Sequence, residues 1–309
     1  MVGGRRRRRG LPVTSRLPTF IRRDFFTPPR AVAGVFSLLR ASMHPWAFGS
    51  LHIRLARWCR LAPGTRENYF HFLIGYLLPL VHAQSRRRFQ RFLAVDCGPL
   101  MTPILAETLT RLGHDFRIVG ADAVERQVFV ESWDKIDPSR PAPEAMAMAA
   151  ALMRRGWEGH VCQGVDCTAA ENLLIRRSDC HEHYLGGASH FQDGYGTFKR
   201  GITNLDDVSD RLRRAGVPHA VYEPGGHSLG CQIAAFTRAR RLLGMRGAEW
   251  ANLIWSPPGA RVRMLDHDPP AWTLTHFMRR LHIHHEFSVV PGRHAPEDCD
   301  AALRFFTEP

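Results

Sequence analysis

The chain has 309 residues, room for two ordinary domains, and its 44% apolar and 23% charged content is that of a soluble globular protein rather than a disordered one. Its net charge of +13 is nearly all arginine, since Lys135 and Lys199 are the only lysines. Arginine spread along the whole chain, without helix-turn-helix, aromatic-platform or zinc-finger spacing, argues against nucleic acid as a partner.

Seven cysteines is an odd number in a chain too large to need disulfide staples, which points to a reducing, cytoplasmic compartment. No run of 18 apolar residues occurs, so no membrane-spanning helix is expected. Residues 1–42 are rich in proline and arginine, with a basic block at Arg5 to Arg9. They read as a poorly ordered leader that leaves room for a peripheral contact with anionic lipid.

Alternation begins at "LHIRLARWCRL", where Leu51, Ile53 and Leu55 predict a strand. "ENYFHFLIGYLLPLVHAQ" is continuously apolar and predicts a buried helix. "RFLAVDCG" reads as a strand, "MTPILAETLTRLG" as a helix, "DFRIVGAD" and "QVFVES" as strands, and "APEAMAMAAALMRRGW" as a helix. A second series follows. "NLLIRR" is a buried strand, and "ITNLDDVSDRLRRAG" is a helix with Asn204 as its cap, acids early and arginines late. "HAVYEP" is a strand, and "SLGCQIAAFTRARRLLG" is an amphipathic helix with Leu229, Ile233 and Phe236 on one stripe. "GARVRML", a helix near 270–281, the strand "HEFSVV" and the helix "PEDCDAALRFF" complete the chain.

Strand and helix alternating twice predict an α/β protein of two Rossmann-like doubly wound domains facing across a cleft. The expected divisions are the leader 1–42, an N-terminal domain over 43–160, a C-terminal domain over 161–290 and a C-terminal helix over 291–309, with a hinge near 156–170. In such folds ligands sit at the carboxyl ends of strands.

The stretch "LLGMRGAEWANLIWSPPGARVRML" is the least ordinary one. Gly244 to Gly247 reads as a strand-to-helix turn, where glycine lets a ligand approach the main chain. The first amides of the following helix form a seat for phosphate, and Arg246 adds a fixed charge suited to bidentate contact.

This stretch resembles the hallmark segment of glycosyltransferase family 61 through Gly244, Gly247, Ala248, Asn252, Pro257, Pro258 and Gly259. Asn68, Tyr69, His71, Leu73 and Pro79 resemble a second family segment. Arg176, Arg200 and Asn204 resemble its strand-plus-arginine and arginine–asparagine elements, and "SLGCQI" its Ser-x-x-Glu-Gln-Ile helix start. The likeness covers roughly residues 60 to 285. Two departures stand out: Arg246 replaces a histidine, and Cys231 replaces a glutamate.

The resemblance implies a B-type, two-Rossmann architecture and an inverting reaction. The donor is a nucleoside-diphosphate sugar, bound mainly by the C-terminal domain; the acceptor is a carbohydrate or glycolipid hydroxyl. Bacterial members serve capsule or exopolysaccharide pathways. No prosthetic cofactor is needed.

Inversion needs a base for the acceptor hydroxyl and a cationic seat for the leaving diphosphate. Asn68, His71 and Gly75 share one face of a helix, and a histidine with a pKa near ~6.5 suits the base. The plainer alternative for His71 is a buried ring bonded to Asn68 or Glu67, bracing a kink at Pro79. Arg176, emerging from its strand opposite Gly247, is the expected phosphate ligand, with Arg177 the adjacent alternative. Lys199 and Arg200 form a further cationic pair. Glu223 either binds sugar hydroxyls or caps a turn, and Asn252 either supports the glycine turn or touches the donor.

No metal is expected. "CHEH" at 180–183, "HIHH" at 282–285 and the pair Cys162 and Cys167 lack the spacing of a structural zinc site. Asp266 and Asp268 in "LDHDPP" read as a helix cap. The rival readings are a non-catalytic nucleotide-sugar-binding paralogue and a basic protein that binds nucleic acid or membrane surfaces.

Overall fold

Short buried aliphatic runs separated by amphipathic helices favour parallel sheets with helices packed on their faces. The computed structural model describes residues 50–52, 67–87, 91–120, 143–162, 170–179, 181–182, 200–268 and 272–308. Its strands in chain order are β1 (Ser50–His52), β2 (Arg91–Val95), β3 (Asp115–Val119), β4 (Asn172–Ile175) and β5 (Gly201–Ile202). They continue with β6 (Ala220–Tyr222), β7 (Arg241–Met245), β8 (Arg261–Asp266), β9 (His284–Val289) and β10 (His294–Ala295). β1, β2 and β3 form one parallel sheet in that order; β6-β4-β7-β8-β9 form a five-stranded parallel sheet; β10 pairs with β5. The fold is thus α/β with parallel sheets.

The helices are α1 (Tyr69–Phe72), which runs through a π-helical turn (Leu73–Leu77) into α2 (Leu78–Arg87), then α3 (Gly98–Arg111) and α4 (Pro143–Gly156). After them come α5 (Leu205–Arg214), α6 (Leu229–Arg238), a 3-10 helix (Ala248–Trp255), α7 (Trp272–Arg280) and α8 (Cys299–Thr307). Pro79 explains the π turn. It has no N–H to give, and its ring would crowd the carbonyl four residues back. The chain widens just before it, so that Leu78 N–H reaches the Leu73 carbonyl five residues back.

The two faces of the five-stranded sheet bury different layers. Leu173, Ile175, Leu242, Val262 and Met264 face a cluster that includes Phe236, Trp250, Trp255 and the buried helix around Phe72 and Leu77. Leu174, Leu243 and Leu265 face Val208 and Leu212 of α5 and Phe305 and Phe306 of α8. Successive strand residues point to opposite faces, so adjacent leucines serve separate layers.

Several elements differ from the sequence reading. The tail "RRLLG" of the predicted amphipathic helix is strand β7; the helix stops at Arg238, and the backbone is extended at Ala239. A short apolar run fits a buried strand as well as a helix, and here the pairing with β4 and β8 decides. Asn204 makes no cap bond to α5. Its amide instead clamps the backbone of Glu297, donating to the carbonyl at 2.9 Å and accepting from the N–H at 2.8 Å. Leader 1–42, strand "QVFVES" and most of "LHIRLARWCRL" lie outside the described residues. No described helix is long and apolar enough to cross a membrane.

Candidate functional site

The site is built at the carboxyl ends of β4, β7 and β8. The register pairs Gly244 with Met264 and Met245 with Leu265, so the next residue out, Arg246, lies beside Asp266. Arg246 Nη1 meets the buried Asp266 Oδ2 at 2.6 Å, and Nη2 lies 3.7 Å from the exposed Asp268. Its main-chain N–H donates to the Leu265 carbonyl, which leaves the Arg246 carbonyl pointing elsewhere. Arg177 Nη1 donates to that carbonyl at 2.8 Å, and Arg200 Nη1 reaches it at 3.5 Å. Three guanidinium groups therefore converge on one turn.

Arg177 is only 9% exposed and lies 3.5 Å from Glu249, the acid in the first turn of the 3-10 helix. Arg200 is less settled: its Nε is buried with no hydrogen-bond partner among the described residues. Burial lowers the Arg200 pKa, and the charges of Arg246 and Arg177 push the same way against Asp266 and Asp268. A bound anion would relieve both penalties.

The glycines act differently from each other. Gly247 is extended, and a Cβ there would fall 2.0 Å from Arg177 Nη1 and 2.3 Å from Glu249 Oε2. Its bare Cα is what lets Arg177 reach the turn. Gly244 does not belong to the turn. It lies inside β7, where a Cβ would strike Ile175 at 2.9 Å and the Trp250 ring at 3.1 Å. It makes room for Trp250, whose Nε1 donates to the Met245 carbonyl at 2.8 Å. The strand-to-helix turn is thus Arg246–Gly247, and Ala248 opens the 3-10 helix, whose first amides lack intrahelical acceptors.

Arg177, not Arg176, is the arginine packed against this turn. Arg176 points the other way and pairs with Asp206 at the start of α5. Both line a cleft of about 300 Å³ with Asp179, Thr203, Asp206 and Glu223. Glu223 makes no cap bond to the turn after it, so its carboxylate belongs to this cleft.

Asn252 is fully buried, and its amide bonds within the protein. Oδ1 accepts from Tyr69 Oη at 2.8 Å and from Trp255 Nε1 at 3.0 Å, while Nδ2 donates to Gln232 Oε1 at 2.8 Å. Burial raises the Tyr69 pKa, the bond to Asn252 offsetting part of that, so the phenol stays a donor. Asn252 therefore supports the site from behind. His71 sits two residues after Tyr69, half-buried, with the Phe70 ring edge-on at 5.9 Å. Asn68 caps this helix, accepting from Phe70 N–H at 3.1 Å.

These bonds join three separate stretches of sequence: 68–79, 228–233 and 244–259. A family model described as Glycosyltransferase 61 matches residues 69–263 and so spans all three through most of their length. The chain belongs to glycosyltransferase family 61. A search of the curated proteins finds no match. Membership of family 61 makes the protein a glycosyltransferase, with a sugar donor and an acceptor.

Sequence reasoning missed Asp266 as the partner of Arg246 and offered Arg177, the buried cation of this transferase, only as the alternative to Arg176. The first follows only from strand pairing. For the second, the signal was present: in the run Ile175–Arg176–Arg177 the alternation of faces separates the two arginines, but it does not say which side carries the turn. One further cluster escaped notice: His160, Cys162 and Cys231 come together from distant parts of the chain. Asp266, His267 and Asp268, in the stretch read as a helix cap, gather their side chains around Arg246. Cys167, Cys180, His183 and Lys199 lie outside the described residues.

Proposed function

We propose that this family 61 protein is an inverting transferase that moves a sugar from a nucleoside diphosphate to a carbohydrate or glycolipid hydroxyl in capsule or exopolysaccharide synthesis. The observation that carries the reading is the convergence of Arg177, Arg200 and Arg246 on one turn at the carboxyl end of a parallel sheet. Such a turn is a seat for a diphosphate whose charge grows as the sugar departs. Arg200 has an unused buried donor to offer, and Gly247 and Ala248 add main-chain amides. The adjoining cleft, with Glu223 and Thr203 on its wall, would take the nucleoside or the sugar. His71 would remove the acceptor proton.

In this reading residues 43–160 form the acceptor side and residues 161–290 the donor side of a B-type transferase. The separate parallel sheets before and after residue 160 support that division. The enzyme would act in the cytoplasm, with the basic leader touching anionic lipid. Loss of vesicle co-sedimentation on deleting residues 1–42 is the expected result; unchanged sedimentation would remove the membrane from the proposal.

Thermal unfolding with UDP, GDP, CMP and their sugar conjugates tests the donor seat. A ligand at one hundred times its Kd adds about 2.7 kcal/mol of stability. Stabilisation by one nucleotide, lost in Arg200→Gln, is expected. No stabilisation by any of them would overturn it. One observation favours a second reading, a paralogue that binds donor without transfer: Arg246 already spends its charge on Asp266. A nucleotide that stabilises the protein while no acceptor yields product would support that rival.

A further inference from the structure

We propose that His160, Cys162 and Cys231 form a site for one thiophilic divalent cation, Zn²⁺ in the first instance, with a water in the fourth position. His160 and Cys162 follow α4, and Cys231 lies in the first turn of α6, so the sequence separates the ligands by about seventy positions. In the fold, His160 Nε2 or Nδ1, Cys162 Sγ and Cys231 Sγ lie within 4.8 Å of one another. His160 Nε2 is 3.7 Å from Cys231 Sγ. Tetrahedral zinc with bonds of about 2.3 Å to sulfur and about 2.0–2.1 Å to nitrogen sets ligands roughly 3.6–3.8 Å apart. The observed pair matches that spacing without rearrangement.

The imidazole is held in place from three sides. The Trp157 ring meets it edge-on at 5.2 Å. Ser228 Oγ lies 2.7 Å from Nε2 and also caps α6 by accepting from Cys231 N–H. Gly230 supplies the floor: a Cβ there would fall 2.4 Å from His160 Cδ2 and 2.6 Å from the Trp157 ring. The missing side chain at 230 is thus what admits the imidazole beside Cys231. Both cysteines are thiols rather than a disulfide.

The charges balance. Zn²⁺ displaces one proton from each thiol, and two thiolates with a neutral imidazole leave the site without net charge, which suits a half-buried place. His160 and Cys162 are partly exposed while Cys231 is buried, so the cluster lies at the edge of the protein, within reach of the water that would complete it. Ser228 would turn its hydroxyl from Nε2 to the bound water. The cation would clip the end of α4 to the start of α6. Cys231 is one of the two positions at which this chain departs from the segments it resembles, so the clip does not rest on the arginine turn or on glycosyltransfer.

Metal content of the full chain, purified without chelator, tests the proposal together with Co²⁺ reconstitution of chelator-stripped protein. Expected are about one Zn²⁺ per chain and, with cobalt, a thiolate charge-transfer band and tetrahedral visible absorption. Cys162→Ser and Cys231→Ser should each lose both the metal and the band, while Cys299→Ser, remote from the cluster, keeps them. Cys162 is partly exposed, so its variant keeps the reading open if Cys231→Ser fails to fold. Retention of metal by both folded cysteine variants would overturn the site. So would a wild type that shows no thiolate–cobalt band, or one whose Cys162 and Cys231 prove to be joined by a disulfide.

Discussion

The Tyr69 hydroxyl donates to Asn252 Oδ1 at 2.8 Å across 183 positions of sequence. This bond ties the helix that carries His71 to the short helix behind the arginine turn. Removing the phenol in Tyr69→Phe leaves Asn252 Oδ1 with Trp255 and should cost about 1 kcal/mol. Asn252→Ala strands buried groups on Tyr69, Gln232 and Trp255 together, each worth about 1–3 kcal/mol. Urea unfolding should therefore rank Asn252→Ala well below Tyr69→Phe; equal midpoints would show that the network carries no weight.

The pair Arg246–Asp266 predicts a non-additive pair of mutations. Asp266 is 1% exposed, so Arg246→Met leaves a buried carboxylate with the Asp268 N–H and the His267 ring, each at 3.4 Å, and the more distant charge of Arg200. Breaking a buried ion pair from one side costs about 3–5 kcal/mol. Adding Asp266→Asn should recover much of that loss, because the charge left alone is then gone. A double-mutant cycle by denaturant unfolding reads the coupling, and simple additivity would dismiss it.

For His71, kinetics and binding should separate. A general base contributes about 10²–10⁴-fold to turnover, and His71 does not lie in the arginine turn. The expected result for His71→Ala is a collapse of kcat with nucleotide stabilisation unchanged. A fall in both, with the fold intact, would assign the residue to donor binding instead.

Acid should weaken the fold through His114. Burial lowers the pKa of this histidine from the ordinary 6.5, so the folded state favours the neutral ring. The unfolded chain takes up the proton first as pH falls. The stability tied to neutral His114 is thus whole above pH ~6.5 and declines as pH drops through the lowered folded pKa. In unfolding measured across that window, His114→Gln should slope less than wild type. Parallel slopes would place the acid sensitivity elsewhere.

Hydrophobic and charge patterning in the sequence makes much of the fold legible. The buried strand in "NLLIRR" and the acids-first, arginines-last order of α5 appear as expected. What stayed hidden was pairwise. "RRLLG" reads equally as helix or strand until its neighbours in the sheet are known, and those neighbours also give Arg246 its partner. Gly244 and Gly247 look alike in sequence, yet one admits an indole and the other a guanidinium. The choice between Arg176 and Arg177 turned on which side of β4 carries the turn. Cys162 and Cys231 share no local motif, because only the packing of α4 near α6 brings them together.

The π turn over Leu73–Leu77 sets the angular phase of everything before it. Each residue of an α-helix advances the chain by about 100°, and a π turn holds one residue more than an α turn. Deleting one residue from 73–77 would let the segment relax to α geometry with α1 nearly in phase with α2, because the wider turn covers about the same rotation with one residue more. Inserting a further residue would swing α1 about its axis by roughly 100° relative to α2. His71 would then face a different neighbour, and Tyr69 would let go of Asn252. The segment therefore tolerates the loss of its extra residue, or exchange of its side chains, far better than any insertion.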